Sequence, residues 1–259
     1  MAKLAVVTGA STGIGLATAR ALRAGGWEVV AVARRADRLN ALAEEIGVHA
    51  VPTDLTSDDS VAELVRVLEQ LGGVDALVNV AGGARGSESV EAGSIADWAW
   101  MFEANVLATK RLTSAVLPLL RDAARNRGVA SIVTLTSTAG MVAYPGGGGY
   151  NAAKFAEHAL VAALRLELAG EPIRVIEVAP GLVKTEEFAL NRLGGNAEAA
   201  EAVYDGVAEP LTAADVAEVI ADALGKPRHV NLDLIVLRPV AQAAQHLLIR
   251  DELRVKEQQ

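Results

Sequence analysis

No cysteine occurs among the 259 residues. That excludes disulfides, thiolate metal sites and a cysteine nucleophile, and it suits a reducing compartment. The histidines are few: His49, His158, His229 and His246 are scattered without metal-ligand spacing and read as surface or packing residues. Basic residues are not in excess. The formal net charge is −8, which argues against a nucleic-acid partner. No apolar run approaches the roughly 18 residues of a membrane span. The stretch Met1–Thr8 lacks the long apolar segment and cleavage site of a signal peptide. The expectation is a cytoplasmic protein without a membrane partner. Nor does any Pro-rich or Gly/Ser-rich linker, or any fixed-period repeat, divide the chain.

What is present is apolar residue in quantity. The apolar share is 51% and the charged share 22%, enough for a sizeable core and too little charge for disorder. Short, nearly continuous apolar runs read as strands: Lys3–Thr8, Glu28–Ala33, Val48–Pro52, Ala76–Asn79, Ser131–Thr136, Arg174–Ala179 and Leu232–Leu237. Helix-period segments lie between them: Gly15–Ala24, Arg38–Ile46, Ser60–Leu71, Trp98–Arg125, Tyr150–Ala169 and Ala213–Leu224. Ser57 and Thr212 are expected N-caps. This alternation predicts an α/β fold with one doubly wound parallel sheet of about seven strands. Residues 184–210 are the least regular stretch and read as a mobile lid.

Strand one runs into Thr8-Gly9-Ala10-Ser11-Thr12-Gly13-Ile14-Gly15 and then a helix. Glycines permit a tight turn and close approach of backbone to ligand. The helix start offers unpaired N–H groups and a positive dipole end to a pyrophosphate. Gly9-Ala10-Ser11-Thr12-Gly13 also matches the Gly-x-Ser-x-Gly elbow of hydrolases. Eight residues before it leave no room for the earlier loop that completes their oxyanion hole, so the expectation is a nucleotide turn. Strand two ends at Ala33, where NAD-binding folds carry an acidic residue for the ribose 2′-hydroxyl. Arg34 and Arg35 follow, and guanidinium groups suit a 2′-phosphate. NADP(H) is therefore expected over NAD(H).

Tyr150 and Lys154 stand four apart at the start of a helical pattern, so both can reach one cleft. A nearby cation favours phenolate over phenol and lowers the tyrosine pKa. Ser137, at the end of a strand, can hold a substrate oxygen. Asn105 can support a water chain for proton exchange.

Together, Thr8–Gly15, Asn79-Val80-Ala81-Gly82, Asn105, Ser137, Tyr150/Lys154 and Pro180-Gly181 resemble the short-chain dehydrogenase/reductase family over nearly the whole chain. The resemblance implies a Rossmann-type single domain, with residues 1–240 as the catalytic domain and 241–259 as its extension. It also implies a homotetramer. In site terms it implies Tyr150 as acid/base, Ser137 orienting substrate, Lys154 assisting Tyr150 and binding ribose, and Asn105 completing the relay. Asp54 and Leu55 would lie by the adenine, with Asn79, Ala81 and Gly82 along the cofactor. Pro180, Gly181, Val183 and Thr185 would border the nicotinamide. Two positions depart from the family pattern: Val80, where Asn is usual, and Thr12, where many NADP-dependent members are basic. The second leaves Arg34 and Arg35 with more of the phosphate.

The later half, Glu177–Val183, Glu187-Phe188, Leu211-Thr212, Pro227–Asn231 through Arg238-Pro239 and Gln242, is similar to the NADP-dependent 3-hydroxy acid (serine, allo-threonine) dehydrogenase branch. That branch includes broader carbonyl reductases. The expected substrate is a small hydroxy or carbonyl compound. If it is an acid, Lys184 and Arg85 are the candidate cations for its carboxylate. A neutral-carbonyl reductase and a non-enzymatic NADP(H) sensor are the alternatives. Gly146–Gly149 is either a flexible loop or substrate room beside Tyr150. The apolar group Trp98, Trp100, Met101 and Phe102 reads as core or subunit contact.

Overall fold

A continuously apolar strand cannot leave either face in water, so the central strands here, buried along their whole length, demand helices on both sides. The computed structural model describes residues 2–255. Met1 and Lys256–Gln259, the outer ends of the expected spans 1–240 and 241–259, lie outside the described residues. In chain order the elements are β1 (Leu4–Thr8), α1 (Gly13–Ala24), β2 (Glu28–Ala33), α2 (Ala36–Ile46), β3 (His49–Pro52), α3 (Asp58–Gln70), β4 (Ala76–Asn79), α4 (Ile95–Phe102), α5 (Ala108–Arg127), β5 (Ala130–Leu135), α6 (Gly148–Glu167), β6 (Ile173–Pro180), β7 (Val183–Lys184), α7 (Phe188–Arg192), α8 (Ala197–Ala202), β8 (Leu211–Thr212), α9 (Ala213–Gly225), β9 (Leu234–Leu237), β10 (Gln242–Ala244) and β11 (Leu247–Leu248).

Seven strands form one parallel sheet in the order β3-β2-β1-β4-β5-β6-β9, which is the doubly wound architecture expected. The two faces are visible within β1. Ala5 and Val7 pack with Leu22, Leu39 and Ile220 of α1, α2 and α9. Leu4 and Val6 pack with Leu64, Leu112 and Val161 of α3, α5 and α6. The strand order reverses between β1 and β4. Chain leaving these strands diverges there and opens a crevice beyond their carboxyl ends.

The expected caps form. Ser57 Oγ accepts from Ser60 N at 3.3 Å, and Thr212 and Asp215 make a reciprocal capping box at the start of α9.

Two expectations need correction. The segment Trp98–Arg125 is not one α-helix: a π-helical turn, Glu103–Leu107, separates α4 from α5. Asn105 Nδ2 donates to Met101 O at 2.6 Å. That carbonyl would otherwise take the regular i−4 bond, so the backbone slips by one residue. Residues 184–210 are also more ordered than their sequence suggests. They contain α7 and α8, which close around a small core of Ala189, Ala200 and Tyr204, and β7 pairs with β8. The segment after residue 240 returns to the site: Gln242 Oε1 accepts from Leu182 N at 2.8 Å, and Thr138 Oγ1 donates to Gln245 Oε1 at 2.7 Å.

Candidate active site

The turn after β1 is built for close approach. Gly9 has φ +67°, a region most side chains avoid. A Cβ on Gly15 would stand 2.3 Å from Gly9 O, so nothing larger fits where α1 meets the strand. Thr12 occupies the N-cap without a side-chain cap bond, leaving first-turn N–H groups for an anion. Thr8 Oγ1 accepts from both Val80 N and Ala81 N at 2.9 Å, tying the turn after β4 to β1 whatever the residue at position 80.

These loops line a cleft of about 1310 Å³, more than one small ligand needs. Its walls include Gly9, Ser11, Thr12, Gly13, Ile14 and Gly15 from the first turn, Arg34 and Arg35 after β2, Asp54 and Leu55 after β3, and Ala81 and Gly82 after β4. Ser137, Tyr150, Lys154, Pro180, Gly181, Val183 and Thr185 line it farther along. Two residues expected at the site stand behind this wall. Asn79 is buried, and its amide donates to Thr113 Oγ1 at 3.2 Å. Asn105 is fully buried; its Oδ1 accepts from Gly83 N at 3.1 Å and its Nδ2 donates to Gly83 O at 2.9 Å. Both shape the wall from behind through hydrogen bonds.

The two arginines differ. Arg34 is exposed. Arg35 is clamped, donating to Ser11 Oγ at 3.0 Å and to both oxygens of Glu187 at 2.6 and 3.0 Å. The bonds to Glu187 raise its pKa further. Neighbouring Glu186 accepts from Thr12 Oγ1 at 3.3 Å and pairs with Arg38 at 3.6 Å. Glu186 and Glu187 are thus fastened across the cleft to the turn after β1 and to the start of α2. Asp54 accepts from Thr56 N and Oγ1 at 3.0 and 2.7 Å, which holds its carboxyl below the usual range.

Tyr150 and Lys154 share one face of α6, with Lys154 Nζ 5.9 Å from the Tyr150 ring centroid. Lys154 donates to Leu135 O at 3.1 Å and to Glu157 Oε2 at 2.6 Å. Ser137 Oγ accepts from Ala139 N at 3.1 Å. The expected pull of Lys154 toward phenolate is present, but burial outweighs it. Burial pushes the Tyr150 pKa up, Lys154 and Ser137 pull it down, Tyr144 and Glu157 add to the rise, and the net is above 10.

The cations proposed for a carboxylate are already matched. Lys184 pairs with Glu201 at an exposed position. Arg85 lines the cleft but pairs with Asp97 at 3.6 Å and stacks on Trp100 at 4.0 Å. Sequence reasoning passed over Arg192, at the end of α7. Its guanidinium carbon lies 5.8 Å from the Tyr150 ring centroid. Its hydrogen-bond partners are all neutral: Gly86 O at 3.2 Å, Tyr144 Oη at 3.0 Å and Gly146 O at 3.0 Å. Gly146, in the stretch read as loop or substrate room, serves as one of its anchors.

A profile of the family described as short chain dehydrogenase matches residues 3–193. An uncharacterised oxidoreductase of Mycobacterium tuberculosis is 53% identical over 242 residues, 93% of either chain. A serine 3-dehydrogenase of Agrobacterium fabrum is 36% identical over 241 residues, 92% of this chain and 94% of that one. Among solved structures, the closed form of a serine dehydrogenase complexed with NADP+ superposes with a TM-score of 0.88 at 32% identity, covering 98% of this chain and 100% of that one.

Proposed function

Because this chain belongs to the short-chain dehydrogenase family, we propose that it transfers a hydride between NADP(H) and the C3 carbon that is a hydroxyl carbon in a small 3-hydroxy acid and a carbonyl carbon in the corresponding 3-oxo acid. Bound in the cleft, NADP(H) supplies or accepts that hydride. The backbone from Gly9 to Gly15 would take the pyrophosphate, and Arg34, exposed beside the uncharged Ala33, would take the 2′-phosphate, with Arg35 sharing it only by exchanging its pairing with Glu187. Asp54 and Leu55 would flank the adenine, and Ala81 and Gly82 would let the backbone approach closely. Asn79 braces that wall through Thr113 and Asn105 through Gly83. Pro180, Gly181, Val183 and Thr185 border the nicotinamide.

Ser137 holds the substrate oxygen. Tyr150 gives that oxygen a proton in reduction and takes it back in oxidation. Lys154 donates to ribose hydroxyls and stabilises the phenolate. A binding-only sensor has no use for a serine, a tyrosine and a lysine converging beside the nicotinamide.

The observation that carries the acid is Arg192, a cation beside Tyr150 with only neutral partners. A buried carboxylate needs such a group when it leaves water. The serine 3-dehydrogenase among the relatives supports the same class. The test follows NADPH oxidation with 3-oxo acids and with their methyl esters. The acids should have the lower KM. Arg192→Met should raise KM for the acids about tenfold or more, the scale of one charge-assisted contact, and leave the esters nearly unchanged. Equal reaction of acid and ester in the wild type points to a reductase of neutral carbonyls.

For the molecule as a whole, the reading is a cytoplasmic homotetramer. No helix among the described residues is long and apolar enough to cross a membrane. Phe102, Leu107 and Phe155 are exposed apolar side chains on helical segments, a face that an assembly with two-fold axes would cover.

A further inference from the structure

A buried carboxylate that hydride transfer does not itself require sits against Lys154. Tyr150, Lys154 and Glu157 follow one another on α6 at spacings of four and three, so they share a face. Lys154 Nζ and Glu157 Oε2 are 2.6 Å apart, with side chains 7% and 1% exposed. The other oxygen of Glu157 accepts from Thr109 Oγ1 of α5 at 3.3 Å. A second buried carboxylate, Glu177 of β6, acts on both groups by charge. Its Oε1 accepts from Thr136 Oγ1 at 2.6 Å, and His158 Nδ1 lies 2.8 and 2.9 Å from its two oxygens.

The physical problem is to keep a buried lysine charged. Burial favours the neutral amine, and a neutral amine does nothing for a phenolate. Burial does pull the Lys154 pKa down, but Glu157, Tyr150 and Glu177 more than offset it, and the net is above the ordinary 10.5. Burial also pushes the Glu157 carboxyl up, Lys154 and Thr109 pull it back, and Glu177 adds to the rise. The net for Glu157 is a raised pKa, and Lys154, 2.6 Å away, is the counter-ion without which a carboxylate would be costly in such a place.

We propose that Glu157 is a positioning residue: its carboxylate holds Lys154 as an ammonium, fixed at Leu135 O beside the Tyr150 ring, and so sets the alkaline limit of the proton exchange. The proposal rests on Tyr150 and Lys154 being the proton-transfer pair.

Glu157→Gln keeps the shape and removes the charge. Tyr150 and Glu177, with His158 behind it, remain as the titratable groups facing Lys154. Lys154 should then lose its proton at lower pH. In the wild type, kcat/KM for alcohol oxidation should climb with pH as Tyr150 deprotonates. In Glu157→Gln it should turn over and fall on the alkaline side, with the deficit against wild type growing about tenfold or more per unit of lowered pKa from pH 7.5 to 9.5. Glu157→Asp, which keeps the charge one methylene short, should lie between the two.

Melting temperature reads the same ionisation without turnover. A lysine pKa lowered in the folded state makes stability rise with pH up to the unfolded value near 10.5, because the unfolded chain then binds more protons. The raised wild-type pKa keeps its contribution below 10.5 and loses it only above. The Tm gap between wild type and Glu157→Gln should therefore narrow from pH 7.5 to 9.5.

Parallel pH profiles and a constant Tm gap would overturn the proposal, leaving Glu157 a packing residue. If Glu157→Gln does not fold, Glu157→Asp carries the test: an alkaline limb moved the same way supports it, and coincidence with wild type overturns it. An inactive wild type would overturn the enzymatic reading instead, while the Tm gap would still report on the pair.

Discussion

Tyr150 stands among opposing influences, and burial outweighs the others. Burial therefore favours its phenol over its phenolate, the form that can give a proton. Reduction should hold its rate through neutrality and decline as pH rises through the raised pKa, while oxidation should accelerate over that range. Tyr150→Phe removes the transferable proton and should lower kcat by about 10²-fold or more in both directions, the scale of general acid–base catalysis. NADPH affinity, read by fluorescence titration, should change little, and near-normal turnover would remove Tyr150 from the chemistry. The identity and spacing of Tyr150 and Lys154 are legible in the sequence. The sign of the shift is not, because it depends on how deeply α6 is covered. Arg192 was illegible for a related reason. An arginine in an irregular stretch is ordinarily solvated, and only the fold brings the end of α7 beside Tyr150.

At the scale of elements, the helix caps were readable because capping is local chemistry. Thr212→Ala removes one half of the box with Asp215 and should cost about 1 kcal/mol, seen as a Tm lower by ~2–4 °C for a chain of this size. Kinetic constants should stay close to wild type; an unchanged Tm would deny the cap a role in stability. The break between α4 and α5 was not readable. The periodicity of Trp98–Arg125 continues through it, and what displaces the backbone is Asn105 reaching Met101 O and Gly83, a contact with a loop 22 residues earlier. The helices within 184–210 were not readable because α7 and α8 are too short to display a period. Their order comes from the small core around Tyr204 and from anchors on opposite sides of the cleft, Glu187 on Arg35 and Arg192 on Gly86 and Gly146.

For the whole molecule, the exposed Phe102, Leu107 and Phe155 are the basis for expecting a homotetramer. Analytical ultracentrifugation at micromolar concentration should give about four times the 26.8 kDa chain mass, and a monomer would refute the assembly. Phe155→Glu would place a charge in that face and should shift the distribution toward smaller species. The sequence by itself determined the parallel sheet, the glycine turn, the absence of an acid at Ala33, the pairing of Tyr150 with Lys154, and the family. Each follows from residue type at short range, where period, turn geometry and helical spacing operate. Only the tertiary structure decided which cation lies unmatched beside Tyr150, that Arg35 is clamped by Glu187, and that Lys154 is buried against Glu157. Those are matters of pairing and exclusion from water among residues far apart or covered by other elements, and no local pattern encodes which charge will find a partner.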